Sequence, residues 1–170
     1  AWPLIAGGGH VLASAPTGSG KTLTAFLGAL SRFASGDYPE NGLSVLYISP
    51  LKALNEDVRH NLVAPSRELA AWFAGRGERF PRLKISSRSG DTPQSERRSM
   101  LSAPPAILCT TPESLAILLA SRSGLGLLST VRLVILDEIH AVLGTKRGAS
   151  LACSVGRLAL LAGEFQRVAL

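Results

Sequence analysis

The sequence predicts an α/β fold, a mostly parallel sheet with helices on both faces. Short runs of apolar, β-prone residues recur along the chain, and helical segments separate them. Near-continuous apolar strands are typical of parallel sheets covered on both sides, and their alternation with helices predicts βαβ units. The length of 170 residues favours one domain, so we expect residues 1–170 to form a single unit.

Strands and helices are expected to alternate along the whole chain. The strands are predicted at residues 10–15, 44–49, 84–88, 106–110, 132–136 and 167–170. The helices are predicted at residues 21–33, 53–62, 68–73, 94–101, 113–120 and 148–161. Loops that follow parallel strands gather at the carboxyl edge of the sheet, which is where open α/β sheets bind ligands.

Composition excludes several classes of protein. Hydrophobic residues make up 46% of the chain and charged residues 18%, which is too apolar for a disordered protein. No apolar run reaches the roughly 18 residues of a membrane-spanning helix, so no membrane partner is expected. Cys109 and Cys153 lie in apolar segments and are interpreted as buried free thiols of a cytoplasmic protein. The net charge of +6 fits an anionic partner and a merely basic composition equally well.

A phosphate-binding loop is predicted between the first strand and the first helix. Gly18 and Gly20 allow the backbone to curl so that amide N–H groups point at phosphate oxygens. The helix that follows adds the positive end of its dipole. Lys21 supplies a charge to the β and γ phosphates, and Thr22 offers a hydroxyl to Mg²⁺. The residues expected to bind a triphosphate are therefore Thr17, Gly18, Ser19, Gly20, Lys21 and Thr22.

A second acidic site is predicted where an apolar strand ends in Asp137 and Glu138. Asp137 can hold Mg²⁺ there, and Glu138 can orient or deprotonate the attacking water. An Asp-Glu pair alone is often only a solvated strand end, but triphosphate hydrolysis needs both roles beside a phosphate loop. We therefore expect Glu138, Asp137 and Lys21 to be catalytic, with Thr22 and Asp137 at the metal.

The motifs resemble those of superfamily 2 DExH-box helicases, specifically the large helicase-related (Lhr) family of DNA helicases. The matching segments are residues 15–22, 49–54, 89–93, 110–115, 137–140 and 145–148, and they span nearly the whole chain. The phosphate loop begins with Ala15 where the strict pattern has glycine, and this form is similar to that of superfamily 2. The resemblance implies a RecA-like P-loop NTPase domain, ATP and Mg²⁺ as cofactors, and a coupling role for His140.

The resemblance also implies a track for one nucleic-acid strand. Its residues are expected to be Pro50, Lys52, Arg88, Gly90, Thr111, Pro112 and Glu113. They follow predicted strands, so they fall at the carboxyl edge of the sheet, where hydroxyls, amides and cations can bind phosphates without reading bases. Aromatic residues make up only 5% of the chain, so a base-stacking platform is not expected. Arg97 and Arg98 are interpreted as a solvated helix face.

The sequence thus predicts the first RecA-like motor domain of an ATP-dependent DNA helicase or translocase. Its expected partners are single-stranded DNA, with RNA or an RNA–DNA hybrid as the alternative, and the second RecA-like domain of the parent chain. Two other interpretations stay open at this point. One is the motor of an RNA helicase or a restriction complex, and the other is a non-catalytic nucleotide-binding module. The adenine-recognising motif and the second motor domain are expected outside residues 1–170.

Overall fold

The described strands form one parallel sheet. The computed structural model describes residues 2–16, 18–50 and 58–170. Within them the strand order is β1-β6-β5-β2-β4-β3, and every neighbouring pair is parallel. The strands are β1 (Val11–Leu12), β2 (Val45–Ile48), β3 (Ile85–Arg88), β4 (Ile107–Thr110), β5 (Leu133–Leu136) and β6 (Gln166–Ala169). The predicted fold class is confirmed, and each observed strand overlaps a predicted one.

Helices connect the strands. They are α1 (Trp2–Ala6), α2 (Lys21–Ala34), α3 (Ala64–Gly75), α4 (Gln94–Ser102), α5 (Pro112–Leu119), α6 (Arg122–Leu128) and α7 (Lys146–Ala162). A π-helical turn, Arg59–Val63, leads directly into α3, and a 3₁₀ turn, Ile139–Ala141, follows β5. Residues 53–57 of the predicted helix 53–62 lie outside the described residues. In the described part, no helix is long and apolar enough to cross a bilayer.

Helix α6 was not expected from the sequence, because its segment is rich in serine and glycine. Ser121 caps the helix by accepting a hydrogen bond from the Gly124 amide at 3.2 Å. A Cβ at Gly124 would lie 2.1 Å from the Leu118 carbonyl oxygen. The glycine therefore permits the close approach of α6 to α5, and does not mark a loop.

The sheet has an apolar layer on each face, as predicted. Alternate residues of β2 enter opposite layers. Tyr47 lies in the same layer as Phe26 of α2, and Leu46 lies in the other layer with Leu115 of α5. Cys109 is buried in the first layer, and burial raises the pKa of its thiol. Cys153 is exposed on α7, so the prediction that both thiols are buried is wrong for that residue.

The strand register brings the loops that follow the strands to one edge. Ile48 of β2 is level with Thr110 of β4 and with Leu136 of β5, and Arg88 of β3 is level with Thr110. On the other side β6 lies between β1 and β5, with Ala169 level with both Leu12 and Leu136. The predicted phosphate loop and acidic pair thus flank β6, while the predicted track lies beyond β5.

Candidate nucleotide and nucleic-acid sites

The loop between β1 and α2 has the backbone of a phosphate cradle. Gly18 and Gly20 both adopt left-handed conformations, with φ of 80° and 81°, which glycine accepts without steric cost. Gly20 immediately precedes α2, so the free amides of the first helical turn open onto the loop. The Thr24 hydroxyl donates to the Gly20 carbonyl at 2.8 Å and holds this turn. Thr17 lies outside the described residues.

Lys21 begins α2 and folds its side chain back over the loop. Its ammonium donates hydrogen bonds to the carbonyl oxygens of Ala15 and, at 3.1 Å, of Pro16. The contact from Lys21 to residue 15 uses the backbone carbonyl, so it does not depend on the side chain at that position. An ammonium has three donors, so Lys21 can hold a loop carbonyl and a phosphate oxygen at the same time.

Asp137 lies directly beside the phosphate loop, although it is 115 residues from Thr22 in the sequence. Its carboxylate is 4% exposed and accepts hydrogen bonds from the hydroxyls of Thr22 and Tyr47, each at 2.8 Å. A third donor is the amide of Glu138, at 2.9 Å. Hydrogen bonds to a carboxylate are among the stronger ones in proteins, so the orientation of Asp137 is fixed by its surroundings.

Tyr47 is a residue of this site that the sequence analysis missed. Its ring packs on Phe26 with centroids 4.8 Å apart, and its side chain is almost fully buried. A buried tyrosine hydroxyl needs a polar partner, and here the partner is Asp137. The available signal was a tyrosine within an otherwise aliphatic strand, one residue before the carboxyl end of that strand.

The oxygen atoms of Thr22 and Asp137 form a donor set that suits Mg²⁺. This ion prefers oxygen ligands and is bound in nucleotide sites through one or two carboxylates, with water and phosphate completing its shell. Among the residues that the structure describes, no group of three His, Cys, Asp or Glu side chains could hold a metal by itself. The chemistry of the site therefore fits a cation that arrives with a phosphate ligand.

Glu138 has an unusual backbone. Its φ of 53° and ψ of 38° are left-handed, and it is the one non-glycine residue with positive φ in the described part of the chain. For such a residue this conformation costs about 1–2 kcal/mol, and strain of this kind is concentrated at functional sites. The Glu138 carboxylate, 23% exposed, lies 3.2 Å from Nε2 of His140. The turn thus presents the carboxylate at the rim of the site.

The predicted track residues are brought together at the neighbouring part of the same edge. Pro50 follows β2, Arg88 ends β3, and Thr111 and Pro112 follow β4. The Thr110 hydroxyl donates to the Arg88 carbonyl at 2.9 Å and ties two of these segments together. Lys52 lies outside the described residues.

Arg88 is the buried cation of this edge. It is 8% exposed, and burial, followed by the charge of Arg97, lowers the pKa of its guanidinium. The guanidinium has no hydrogen bond or ion pair with any residue that the structure describes. The guanidinium is therefore open to an anion such as a phosphate, which would pair with its charge.

A sequence model of DEAD/DEAH box helicases matches residues 1–170. The chain belongs to this family. It is 48% identical over 177 residues to the Lhr helicase/uracil glycosylase of Escherichia coli, and the match covers 99% of this chain and 11% of that protein. It is 48% identical to the ATP-dependent helicase Lhr-Core of Methanothermobacter thermautotrophicus, where the match covers 96% and 19%. The predicted resemblance to Lhr helicases is confirmed.

Solved structures give the same result. The structure of Mycobacterium smegmatis helicase Lhr bound to ssDNA and AMP-PNP matches 99% of this chain and 21% of that one, with a TM-score of 0.92 and 47% identity. The DEAD-box helicase Mss116, at 19% identity and a TM-score of 0.75, shares the fold. This helicase domain spans between a tenth and about a fifth of the length of these Lhr relatives.

Arg97 organises one loop of the helicase domain. From the first turn of α4 its Nε donates to the Thr92 carbonyl at 2.7 Å, and its Nη2 donates to the carbonyls of Gly90 at 2.6 Å and Ser89 at 3.3 Å. The interpretation of Arg97 as part of a solvated face is therefore wrong, whereas Arg98 is exposed as expected. Sequence spacing gave no signal, because the partners are backbone oxygens and not charged side chains.

The segment Thr145-Lys146-Arg147-Gly148 forms the N-cap and the first residues of α7. The structure gives a reason for the residue type at three of its positions. Thr145 caps the helix by accepting a hydrogen bond from the Gly148 amide at 3.2 Å. A Cβ at Gly148 would lie 2.3 Å from the Val142 carbonyl oxygen, so only glycine fits there. Arg147 reaches the predicted track: its Nε lies 2.7 Å from Oε1 of Glu113. This ion pair lowers the pKa of Glu113 and raises that of Arg147.

Proposed function

We propose that this domain is the first RecA-like lobe of an ATP-dependent DNA helicase or translocase, which couples ATP hydrolysis to movement on single-stranded DNA. The observation that carries the proposal is the 2.8 Å hydrogen bond between Thr22 and Asp137. It joins the phosphate loop to the acidic strand end, and a hydrolytic triphosphate site needs both parts. The relatives named as ATP-dependent helicases, and the Lhr structure with AMP-PNP and ssDNA, support it.

In this proposal the phosphate loop binds the triphosphate of ATP. The left-handed turns at Gly18 and Gly20 aim amides at the phosphates, and Thr17 and Ser19 complete the loop. Lys21 exchanges part of its contact with the Ala15 and Pro16 carbonyls for phosphate oxygens. Thr22 and Asp137 would hold Mg²⁺, which when bound draws negative charge from the phosphate oxygens.

Glu138 acts as the general base. The turn that holds Asp137 also sets the Glu138 carboxylate at the rim of the site, where it can accept a proton from a water aimed at the γ-phosphate. His140 contacts Glu138. If a neighbouring lobe displaced His140, the position of the Glu138 carboxylate would change as well. This contact supports the coupling role predicted for His140.

In this proposal the single strand of DNA runs along the loops that follow β2, β3 and β4. Arg88 supplies a cation that has no ion pair with the described residues, and Gly90 and Thr111 lie exposed or half-exposed beside it, whereas Pro112 is buried and would shape the turn. Pro50 and Lys52 complete the proposed track, Glu113 lies beside it, and the second RecA-like lobe would bind the nucleic-acid strand from the other side. Contacts of this kind bind phosphates, so the affinity should fall steeply as salt rises. The cytoplasmic location of this motor stays a prediction.

Titration with a fluorescent ATP analogue tests the nucleotide site. We expect Lys21→Ala to weaken binding at least about ten-fold, because a hydrogen bond to a charged group contributes about 1.5–3 kcal/mol. The matched control is Lys84→Ala. Lys84 also donates to a backbone carbonyl, that of Ala103, but it precedes β3 at the opposite edge of the sheet. Equal affinity of the parent and Lys21→Ala would remove the phosphate-loop assignment.

Stimulation of the ATPase separates DNA from RNA as the partner. The full-length protein should hydrolyse ATP faster with single-stranded DNA than with an RNA of the same sequence. Stronger stimulation by RNA would replace the DNA motor by an RNA motor. A complete absence of ATP hydrolysis would favour a non-catalytic nucleotide-binding module.

A further inference from the structure

One ion pair joins the proposed nucleic-acid track to the start of α7. Glu113 is in the first turn of α5, and Arg147 is in the first turn of α7. Besides its 2.7 Å contact with Glu113, Arg147 places Nη2 at 3.4 Å from the Pro50 carbonyl oxygen. A single guanidinium therefore contacts both the loop after β2 and the turn after β4.

The carboxylate of Glu113 is unfavourable for a phosphate track. The amino terminus of α5 would by itself attract phosphate, but Glu113 puts a negative charge there, and its side chain is 56% exposed. A glutamate is ionised at neutral pH, and the hydrogen bond from Arg147 lowers the pKa of Glu113 further. Unless that charge is cancelled, it repels each phosphate that passes.

We propose that Arg147 is a positioning residue of the track, which cancels the charge of Glu113 and holds the turn after β4 against the loop after β2. This inference rests on the proposed function, since it assumes that a strand runs along these loops. A surface ion pair contributes little to folding stability. The role of Arg147 should therefore be visible in strand binding, and not in thermal unfolding.

The test is a titration of fluorescent single-stranded DNA with the full-length protein at several salt concentrations. We expect Arg147→Ala to weaken binding about ten-fold, because an uncancelled like charge near the strand is repulsive on that scale. Adding Glu113→Gln to Arg147→Ala should restore most of the affinity. Glu113→Gln alone should bind at least as tightly as the parent, and Arg147→Lys, which keeps the charge, should lose little.

Arg157→Ala is the matched control, since Arg157 lies on the same helix and donates to the Leu119 carbonyl at 2.9 Å. It should leave strand affinity unchanged. If Arg147 contacts phosphate directly, the double variant stays weak and its salt slope falls by about 0.7, which overturns the proposal. Equal affinity of Arg147→Ala and the parent also overturns it. If the parent itself does not bind single-stranded DNA, the proposed track fails, and that failure is seen without any variant.

Discussion

The proposed nucleotide site and the proposed nucleic-acid track occupy one edge of one sheet but are built differently. At the nucleotide site, backbone conformation provides most of the geometry: left-handed Gly18, Gly20 and Glu138 shape the two loops. At the track, arginine side chains hold the loops by their carbonyl groups. Arg97 binds the loop after β3, and Arg147 bridges the loops after β2 and β4.

This difference has a physical consequence. The backbone turns of the proposed phosphate loop are set by glycines within the loop itself. Loops held by long side chains can be loosened one contact at a time, and each contact changes strand affinity without touching the nucleotide site. Single substitutions should therefore separate the proposed nucleotide site from the proposed track, and Glu138→Gln is expected to have the largest effect.

Glu138→Gln should stop turnover while both binding activities persist. The amide is nearly isosteric but cannot accept the proton of water, so we expect the ATPase rate of the full-length protein to fall by at least about 10²-fold. Nucleotide and single-stranded DNA affinity should be unchanged, as measured by fluorescence titration. Glu164→Gln, an exposed change just before β6, is the control. Retained steady-state hydrolysis would place the base elsewhere.

Gly148→Ala should destabilise the track side. The new methyl group would collide with the Val142 carbonyl at the start of α7, and such overpacking costs about 1–3 kcal/mol. Gly156→Ala, on the same helix with open space around it, should instead stabilise by about 0.5–1 kcal/mol. Denaturant unfolding measures both. A neutral Gly148→Ala would mean that the start of α7 moves freely.

Arg97→Ala should weaken single-stranded DNA binding about ten-fold, since three carbonyls of the loop after β3 lose their donor and hydrogen bonds to a charged group contribute about 1.5–3 kcal/mol. ATP-analogue affinity should not change. Arg98→Ala, the exposed neighbour, is the control for charge alone. If the two variants lose the same affinity, Arg97 acts through its charge and not through the loop.

Tyr47→Phe should have the smallest effect. It removes one of the donors to Asp137 and keeps the ring on Phe26. Because Thr22 and the Glu138 amide remain, we expect about a three-fold rise in the Mg²⁺ concentration that supports half-maximal ATP-analogue binding, near the lower range of a net hydrogen bond. Tyr38→Phe is the control, since Tyr38 packs on Phe33 instead. An unchanged Mg²⁺ requirement would make Tyr47 a packing residue only.

The geometry of the proposed nucleotide site was largely predictable, because each of its two segments is recognisable from a short stretch of sequence. Glycine at positions 18 and 20, lysine at 21 and the carboxylates at 137 and 138 are chemical necessities for phosphate and water. Their placement at strand ends followed from hydrophobic patterning. The left-handed conformation of Glu138 was not predictable, because glutamate does not favour it and tertiary packing imposes it.

The position of the candidate track residues at the carboxyl edge of the sheet was predictable, but the contacts that hold their loops were not. Arg97 binds backbone carbonyls, and Arg147 binds a carbonyl and a carboxylate that are distant in the sequence. A hydrophobic pattern does not indicate partners of this kind. Helix α6 was missed for a related reason. Gly124 serves a close contact with the Leu118 carbonyl that exists only after α5 and α6 pack.

Strand β6 sets the distance between the two segments of the proposed nucleotide site. The Ala13 amide donates to the Ala169 carbonyl, and the Leu170 amide donates to the Leu136 carbonyl, so one strand separates the phosphate loop from the Asp137 turn. Adjacent strands lie about 4.8 Å apart, which puts the backbones of β1 and β5 two such steps from each other. Main-chain hydrogen bonds between the strands therefore fix this distance. Point substitutions can change the groups that face across the gap, but the span itself changes only if a strand is inserted or lost.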